Sequence, residues 1–184
     1  MSKDWKTVEI LSHTRHDWLN RLQLIKGNIE LDKIDRVKAI IDEIIIETQH
    51  ESRLSNLNMP NFVETLLTAN WRTLPLRIEL EVVSLQHGCR DMDDFMASWI
   101  EDLFLVLKES VDDYDENVLA VSIDENKERK IRLSFDLQGT IKKETILRDF
   151  LIKPLNENMA AAVCKISSNE TLFYIEIDYD DISD

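Results

Sequence analysis

No apolar run in this 184-residue chain approaches the roughly 20 residues that a membrane-spanning helix needs. The start Met1-Ser2-Lys3-Asp4 also lacks the apolar core of a secretion signal, so a cytoplasmic location is expected. Cysteine is scarce: Cys89 and Cys164 stand far apart, whereas a secreted disulfide scaffold is small and cysteine-dense, so both are read as reduced, partly buried thiols. Glycine occurs only at Gly27, Gly88 and Gly139, and no G-x-G is present. Phosphate-cradling loops need closely spaced glycines so that the backbone can approach the phosphates, which argues against a nucleotide loop. Basic residues are also in deficit. Lys and Arg total 22 against 36 Asp and Glu, and a formal charge of -14 repels a phosphate backbone over most of the surface. Nucleic acid is not an expected partner. The cluster His87-Gly88-Cys89 invites a metal reading, but no second ligand pair stands at a recognisable spacing, so no metal site is expected.

What the chain does have is 43% hydrophobic residues, enough to bury a real core in one ordinary domain or two small ones. From Val8 the positions Leu11, Arg15, Trp18, Leu22, Ile25 and Ile29 follow at alternating spacings of three and four, the signature of a helix seam. A second series, Ile34, Val37, Ile41, Ile44 and Thr48, predicts an antiparallel mate. The polar stretch at Asp32 and Lys33 offers that second helix an N-cap, with Asp35 three residues on, while Gly27-Asn28 is a competing break. Asn58-Met59-Pro60 ends it, because proline disfavours helical geometry in the residue before it. The domain boundary is placed there, giving a hairpin over 1–59 and a second domain over 60–184.

Beyond Pro60 the pattern changes. A short helix is expected near Phe62 to Trp71, and Arg77 to Val82 alternates apolar and charged residues as a half-buried strand does. Asp91 to Asp113 reads as a helix with Phe95, Trp99, Leu103, Val106 and Leu107 on one side. Strands Val118 to Ile123 and Ile131 to Leu137 follow, joined by a charged turn from Asp124 to Arg129. A short helix from Glu144 to Phe150 and a hairpin of Ala161 to Ile166 with Thr171 to Tyr179, turning at Ser167-Ser168-Asn169, complete an α+β chain.

A two-helix hairpin has apolar surface on more sides than one partner helix can cover, so it usually recruits further helices, and two copies would make a four-helix bundle. If Arg15, Trp18, Leu22 and Ile25 line the seam, His16 falls about 130° from its centre and faces solvent. The same surface continues through Asn20, Gln23 and Gly27, small or polar residues that let a partner approach the imidazole. Neutral imidazole is a good nucleophile near pH 7, and its N–P bond stays reactive enough to pass a phosphoryl group on. A lone exposed histidine is more often a solvated bystander, and His13 and His50 also lie on these helices. His16 differs from them in having Asp17 directly after it and Asn20 one turn on, both close enough to orient the ring or a bound phosphoryl group.

The run Arg15-His16-Asp17-Trp18-Leu19-Asn20-Arg21-Leu22-Gln23-Leu24-Ile25-Lys26-Gly27-Asn28 resembles the phosphorylated helix of the sporulation initiation phosphotransferase B family of spore-forming bacilli. The similarity extends through Asp35-Arg36-Val37, His50-Glu51-Ser52 and Leu54-Ser55-Asn56-Leu57, and more weakly beyond. The resemblance implies a homodimer built on the hairpins and a C-terminal α/β sandwich domain similar to a histidine-kinase ATP-binding domain that has lost its nucleotide. Glu109 stands where such kinases carry a metal-binding asparagine. The family implies that His16 takes a phosphoryl group from the aspartate of one response-regulator receiver domain and gives it to that of a second. Arg15, Asp17 and Asn20 would support it, and Asn20, Gln23, Leu24 and Gly27 would contact the regulators. No cofactor is expected in this chain, since Mg2+ and a lysine belong to the regulator's pocket. Two rival readings remain: a true histidine kinase with an unusual nucleotide loop, and a non-catalytic dimer that sequesters a kinase or regulator.

Overall fold

A computed structural model describes residues 6–126 and 130–179. The chain divides into two units, Met1–Gln49 and His50–Asp184. The start of the sequence and half of the expected charged turn, residues 127–129, lie outside the described residues.

In the first unit, helix α1 runs over Thr7–Glu30, opening where the Glu9 carboxylate accepts the Lys6 backbone N–H at 3.0 Å. It passes through Gly27-Asn28 without a break, so that candidate corner is not used. The corner comes at Leu31-Asp32-Lys33. Lys33 N–H reaches Asn28 O at 2.8 Å and Asp32 N–H reaches Ile29 O at 3.0 Å, the paired bonds of a Schellman cap, with Asp32 left-handed at φ 56°. Asp32 therefore closes α1 rather than capping the N-terminus of helix α2, which spans Ile34–Leu54 with Asp35 in its first turn.

The expected seam is not the surface that α1 turns toward α2. Val8, Leu11, Trp18, Leu22 and Ile29 stand between 48% and 77% exposed, and no residue of α1 is fully buried. What faces α2 is Arg21, Leu24 and Asn28, which with Arg36, Ile40, Glu43, Ile44 and Glu47 line a cavity of about 170 Å³. Arg21 also pairs with Glu47. On the part of α2 in this unit the buried positions are Val37 and Ile40, while Ile34, Ile41 and Thr48 of the expected series are exposed. Each helix thus carries two stripes, one meeting its mate and one apolar stripe left in water. Periodicity located the second stripe and could not say that it was the second.

In the other unit, α2 ends at Leu54 and a 3-10 turn, Ser55–Leu57, leads to Asn58 in the left-handed region at φ 53°. Helix α3, Pro60–Leu67, then starts with proline in its first turn, where the missing N–H costs nothing. The last three residues of the expected helix belong instead to a separate 3-10 turn, Ala69–Trp71. Strand β1 is Arg77–Ser84, helix α4 is Asp93–Ser110, β2 is Val118–Glu125 and β3 is Lys130–Gln138. Helix α5, Glu144–Leu151, precedes β4, Met159–Ile166, and β5, Glu170–Asp178. The sheet order is β1-β2-β3-β5-β4, with β1 parallel to β2 and every other pair antiparallel. This α+β arrangement is the one expected.

Alternation decides which sheet face is dry. Leu119, Val121 and Ile123 of β2, Leu133, Phe135 and Leu137 of β3, and Phe173, Ile175 and Ile177 of β5 are sealed, while Ser122, Ser134 and Tyr174 share the opposite face. Helix α4 packs on the dry face through Met96, Ile100, Leu103 and Leu107, whereas Phe95, expected on that side, sits at the rim. Trp99 lies among Phe135, Phe150 and Phe173 at 5.5–6.4 Å between ring centroids. The free edge of β1 is covered by side chains. The Asn70 amide pairs both ways with the Ile78 backbone at 2.8 Å, His50 Nδ1 accepts the Val82 N–H at 3.0 Å, and Arg53 donates to Val82 O at 3.0 Å. Capping the edge in this way removes a template for unwanted strand pairing.

Candidate functional site

Helix α1 turns about 100° per residue, so His16, Asn20, Gln23 and Gly27 fall on one face, about 140° from the exposed apolar stripe. The His16 side chain is 71% exposed, as its place outside both stripes requires. Gly27 has nothing within 4 Å of where a Cβ would stand, which leaves the backbone open to an approaching surface. Leu24 is 57% exposed and borders the cavity toward α2 beside that face. Arg15 is exposed and lies on the apolar-stripe side of the helix.

Two side chains reach His16, both at the same ring nitrogen. Asp17 Oδ1 lies 3.4 Å from Nδ1, and Asn20 Nδ2 lies 3.3 Å from it. A carboxylate accepts from a protonated Nδ1, whereas an amide N–H donates to an unprotonated one, so the two neighbours favour opposite tautomers. When Asp17 holds the Nδ1 proton, the lone pair resides on Nε2, which has no hydrogen-bond partner among the described residues. The imidazole then presents a nucleophilic nitrogen to solvent.

Neither His13 nor His50 matches this setting: His13 is half-buried, and His50 is committed to the β1 edge. A different histidine does have a strong orienting group, and sequence spacing missed it. His87 Nδ1 lies 2.6 Å from Glu125 Oε1, and Glu125 Oε2 also accepts the backbone N–H groups of Gln86 at 2.6 Å and His87 at 3.1 Å. The Tyr179 hydroxyl donates to the same carboxylate, and the rings of His87 and Tyr179 stack with centroids 5.4 Å apart. Burial alone would raise the carboxyl's pKa, but these donors outweigh it and hold Glu125 at about 2. Glu125 is 38 residues from His87 in sequence, and only the meeting of the β1 loop with the end of β2 brings them together.

The three glycines differ in what surrounds them. Beside the open Gly27, a Cβ on Gly88 would stand 2.5 Å from Leu57 O, and Gly139, at φ 148°, is pressed against the Asn117 amide. Asn117 Nδ2 donates to the carbonyls of Pro75, Asp112 and Asp115, and its Oδ1 accepts the Thr140 N–H, so this amide pins the end of the sheet. Glu109 is exposed on α4. Among the described residues no group of three or more His, Cys, Asp or Glu stands ready to hold a metal ion, and no helix is long and apolar enough to cross a membrane. Of the two cysteines, Cys89 is buried, with its thiol pKa pushed up by burial and by Asp91, but Cys164 is exposed on the edge strand β4, contrary to expectation.

Two family descriptions match the chain: "sensor kinase SpoOB-type, alpha-helical domain" over residues 2–57 and "sporulation initiation phospho-transferase B, C-terminal" over residues 58–178. Sporulation initiation phosphotransferase B of Bacillus subtilis (strain 168) is 35% identical over 172 residues, which cover 93% of this chain and 89% of that protein. Among solved structures, the blue-light activated histidine kinase of Erythrobacter litoralis EL346 aligns with a TM-score of 0.47 and 14% identity, over 96% of this chain and 61% of that one. Its histidine kinase domain aligns at 0.43 and 11%, over 62% and 59%. Histidine kinase ThkA, solved in complex with the response regulator TrrA, aligns at 0.39 and 11%, over 92% and 60%. The chain spans about three fifths of the length of these kinase chains.

Proposed function

The chain belongs to the sporulation initiation phosphotransferase B family, and from that premise we propose that it serves a sporulation phosphorelay as a transferase whose phosphoryl carrier is His16. The observation that carries this reading is an exposed imidazole on a helix face free of apolar packing, contacted by Asp17 and Asn20 at Nδ1 alone.

In the proposed reaction the Nε2 lone pair attacks the phosphorus of a regulator's aspartyl phosphate. The N–P bond forms as the acyl P–O bond breaks, and the regulator's carboxylate is released. Asp17 holds the Nδ1 proton and faces the positive charge that develops on the ring. The reverse sequence delivers the group to the aspartate of a second regulator. Such transfers depend on alignment and charge neutralisation more than on acid–base chemistry. The divalent cation that such a transfer uses belongs to the regulator's pocket, so this chain has only to present and orient the imidazole. Asn20 hydrogen-bonds the phosphoryl oxygens once they arrive, and Gln23 and Gly27 form the docking face with it.

A homodimer belongs to the same reading. The water-exposed stripes Val8-Leu11-Trp18-Leu22-Ile29 and Ile34-Ile41-Ile45 are the surfaces a second hairpin would cover to complete a four-helix bundle. The test is a two-regulator assay. A phosphorylated regulator should label the chain and the chain should then label a second regulator, His16→Ala should abolish both steps, and labelled ATP alone should leave the chain unlabelled. Transfer by His16→Ala at the wild-type rate refutes the role of His16, and labelling from ATP alone makes the chain a kinase.

A further inference from the structure

We propose that His87 is a second nucleophilic imidazole of this chain, a modification site that accepts a phosphoryl group at Nε2 from small phosphoryl donors. Three features of the second unit point to it, none of which depends on His16.

First, the tautomer at His87 is fixed, whereas at His16 two neighbours compete. Glu125 is an ionised carboxylate and can only accept, so at 2.6 Å the Nδ1 atom must be the donor, and in the neutral ring the lone pair sits on Nε2. Second, the dyad is rigidly supported. The Glu125 side chain is only 10% exposed and is tied by the Gln86 and His87 backbone N–H groups and by the Tyr179 hydroxyl. Third, the reactive edge is accessible. The His87 side chain is 52% exposed, all its hydrogen bonds among the described residues run through Nδ1 or the backbone N–H, and Tyr179 stacks on the ring face rather than covering its edge. A partly buried carboxylate that orients an exposed imidazole is the arrangement by which a histidine is made a better nucleophile or ligand.

The chemistry balances with phosphoramidate as donor. The Nε2 lone pair forms the new N–P bond while the donor's own N–P bond breaks, and its zwitterionic ammonium leaves as ammonia. The ring keeps its Nδ1 proton and becomes cationic, facing the Glu125 carboxylate. No oxidant, metal or further base is required.

Incubation of the full chain with phosphoramidate, read by intact mass and by mapping of acid-labile phosphate, tests the proposal. The His16→Ala variant should still take up one phosphoryl group, mapped to His87, and the double variant His16→Ala/His87→Ala should lose it. In the His16→Ala background Glu125→Gln should slow the uptake roughly tenfold, the scale on which removal of an orienting partner acts. Because His87 is half-exposed, its replacement by alanine leaves the fold in place and stays decisive even if Glu125→Gln loosens the loop. No uptake by His16→Ala, uptake that survives the loss of His87, or labelling spread evenly over His13, His50 and His87 overturns the assignment.

Discussion

In the sheet unit Phe135, Phe173, Ile100 and Leu107 are sealed from water, whereas in the hairpin Trp18, Leu22 and Ile41, equally apolar, stand in it. The same sequence signal, apolar residues at regular spacing, therefore has two meanings in one chain. In the sheet unit it specifies a core that the chain completes alone. In the hairpin half of it marks a surface that the two helices leave in water. The two histidines follow the same division. His87 is oriented by a partly buried carboxylate that the fold itself supplies, and His16 stands on an open helix with only Asp17 and Asn20 beside it.

The largest effect should come from attacking the unfinished half of that contrast. Each Trp or Leu side chain withdrawn from water contributes about 1.5–3 kcal/mol, and a two-fold contact counts it twice. Trp18→Glu/Leu22→Glu should therefore weaken a hairpin dimer by about 6 kcal/mol or more, beyond 10⁴-fold in affinity. Sedimentation should show the double variant as a monomer at concentrations where the parent chain is a dimer. In the same experiment Phe135→Ala should leave the mass unchanged yet cost about 3–5 kcal/mol in denaturant unfolding, because it opens a cavity against Phe173 and Trp99. A monomeric parent chain, or a double variant that stays dimeric, would break the comparison.

How much of this could be read beforehand follows the same line. Period-two alternation over Ile131 to Leu137 and Thr171 to Tyr179 located strands correctly, because a sheet with one wet face writes its burial directly into the sequence. The seam of α1 was legible as apolar and illegible as to partner, since Arg21 and Asn28, which face α2, are polar and carry no periodic signal. Asp32 looked like an N-cap because aspartate suits both an N-cap and a left-handed C-cap, and only the Lys33 to Asn28 bond separates the two. His16 stood out through local neighbours, Asp17 and Asn20. Glu125 and Tyr179 could not be assigned to His87, because their meeting depends on the order of strands in the sheet. Cys164 was expected to be partly buried, but β4 is an edge strand and the ladder is bulged between Val163 and Lys165, which leaves the thiol outside.

A smaller effect sharpens the contrast between the two histidine settings. Glu125 is held at about 2 in the folded chain against an ordinary 4.5. A carboxyl depressed on folding contributes stability that is complete above its unfolded pKa and is lost as pH falls through the folded one. The window therefore runs from about pH 4.5 down to about 2, and the loss should be about 2 kcal/mol after allowance for solvent at the rim of the cluster. Unfolding free energies of the parent chain and Glu125→Gln, measured across that range, should converge toward acid by that amount. Parallel curves would mean that the donors around Glu125 contribute nothing to its ionisation.

The smallest predicted effect tests whether the corner between α1 and α2 is set by backbone geometry alone. Asp32 adopts φ 56°, where an L side chain crowds the following carbonyl, and aspartate is one of the few residues that tolerates it. Both bonds of the cap, Lys33 N–H to Asn28 O and Asp32 N–H to Ile29 O, are made by the main chain and would survive a change of side chain. Asp32→Gly should remove the steric cost while adding freedom to the unfolded chain, leaving a net gain of about 0.5–1 kcal/mol. Asp32→Val, β-branched at the same angle, should lose about 1–2 kcal/mol. If thermal unfolding ranks glycine below aspartate, then the Asp32 carboxylate, and not the left-handed backbone, is what holds the two helices at their turn.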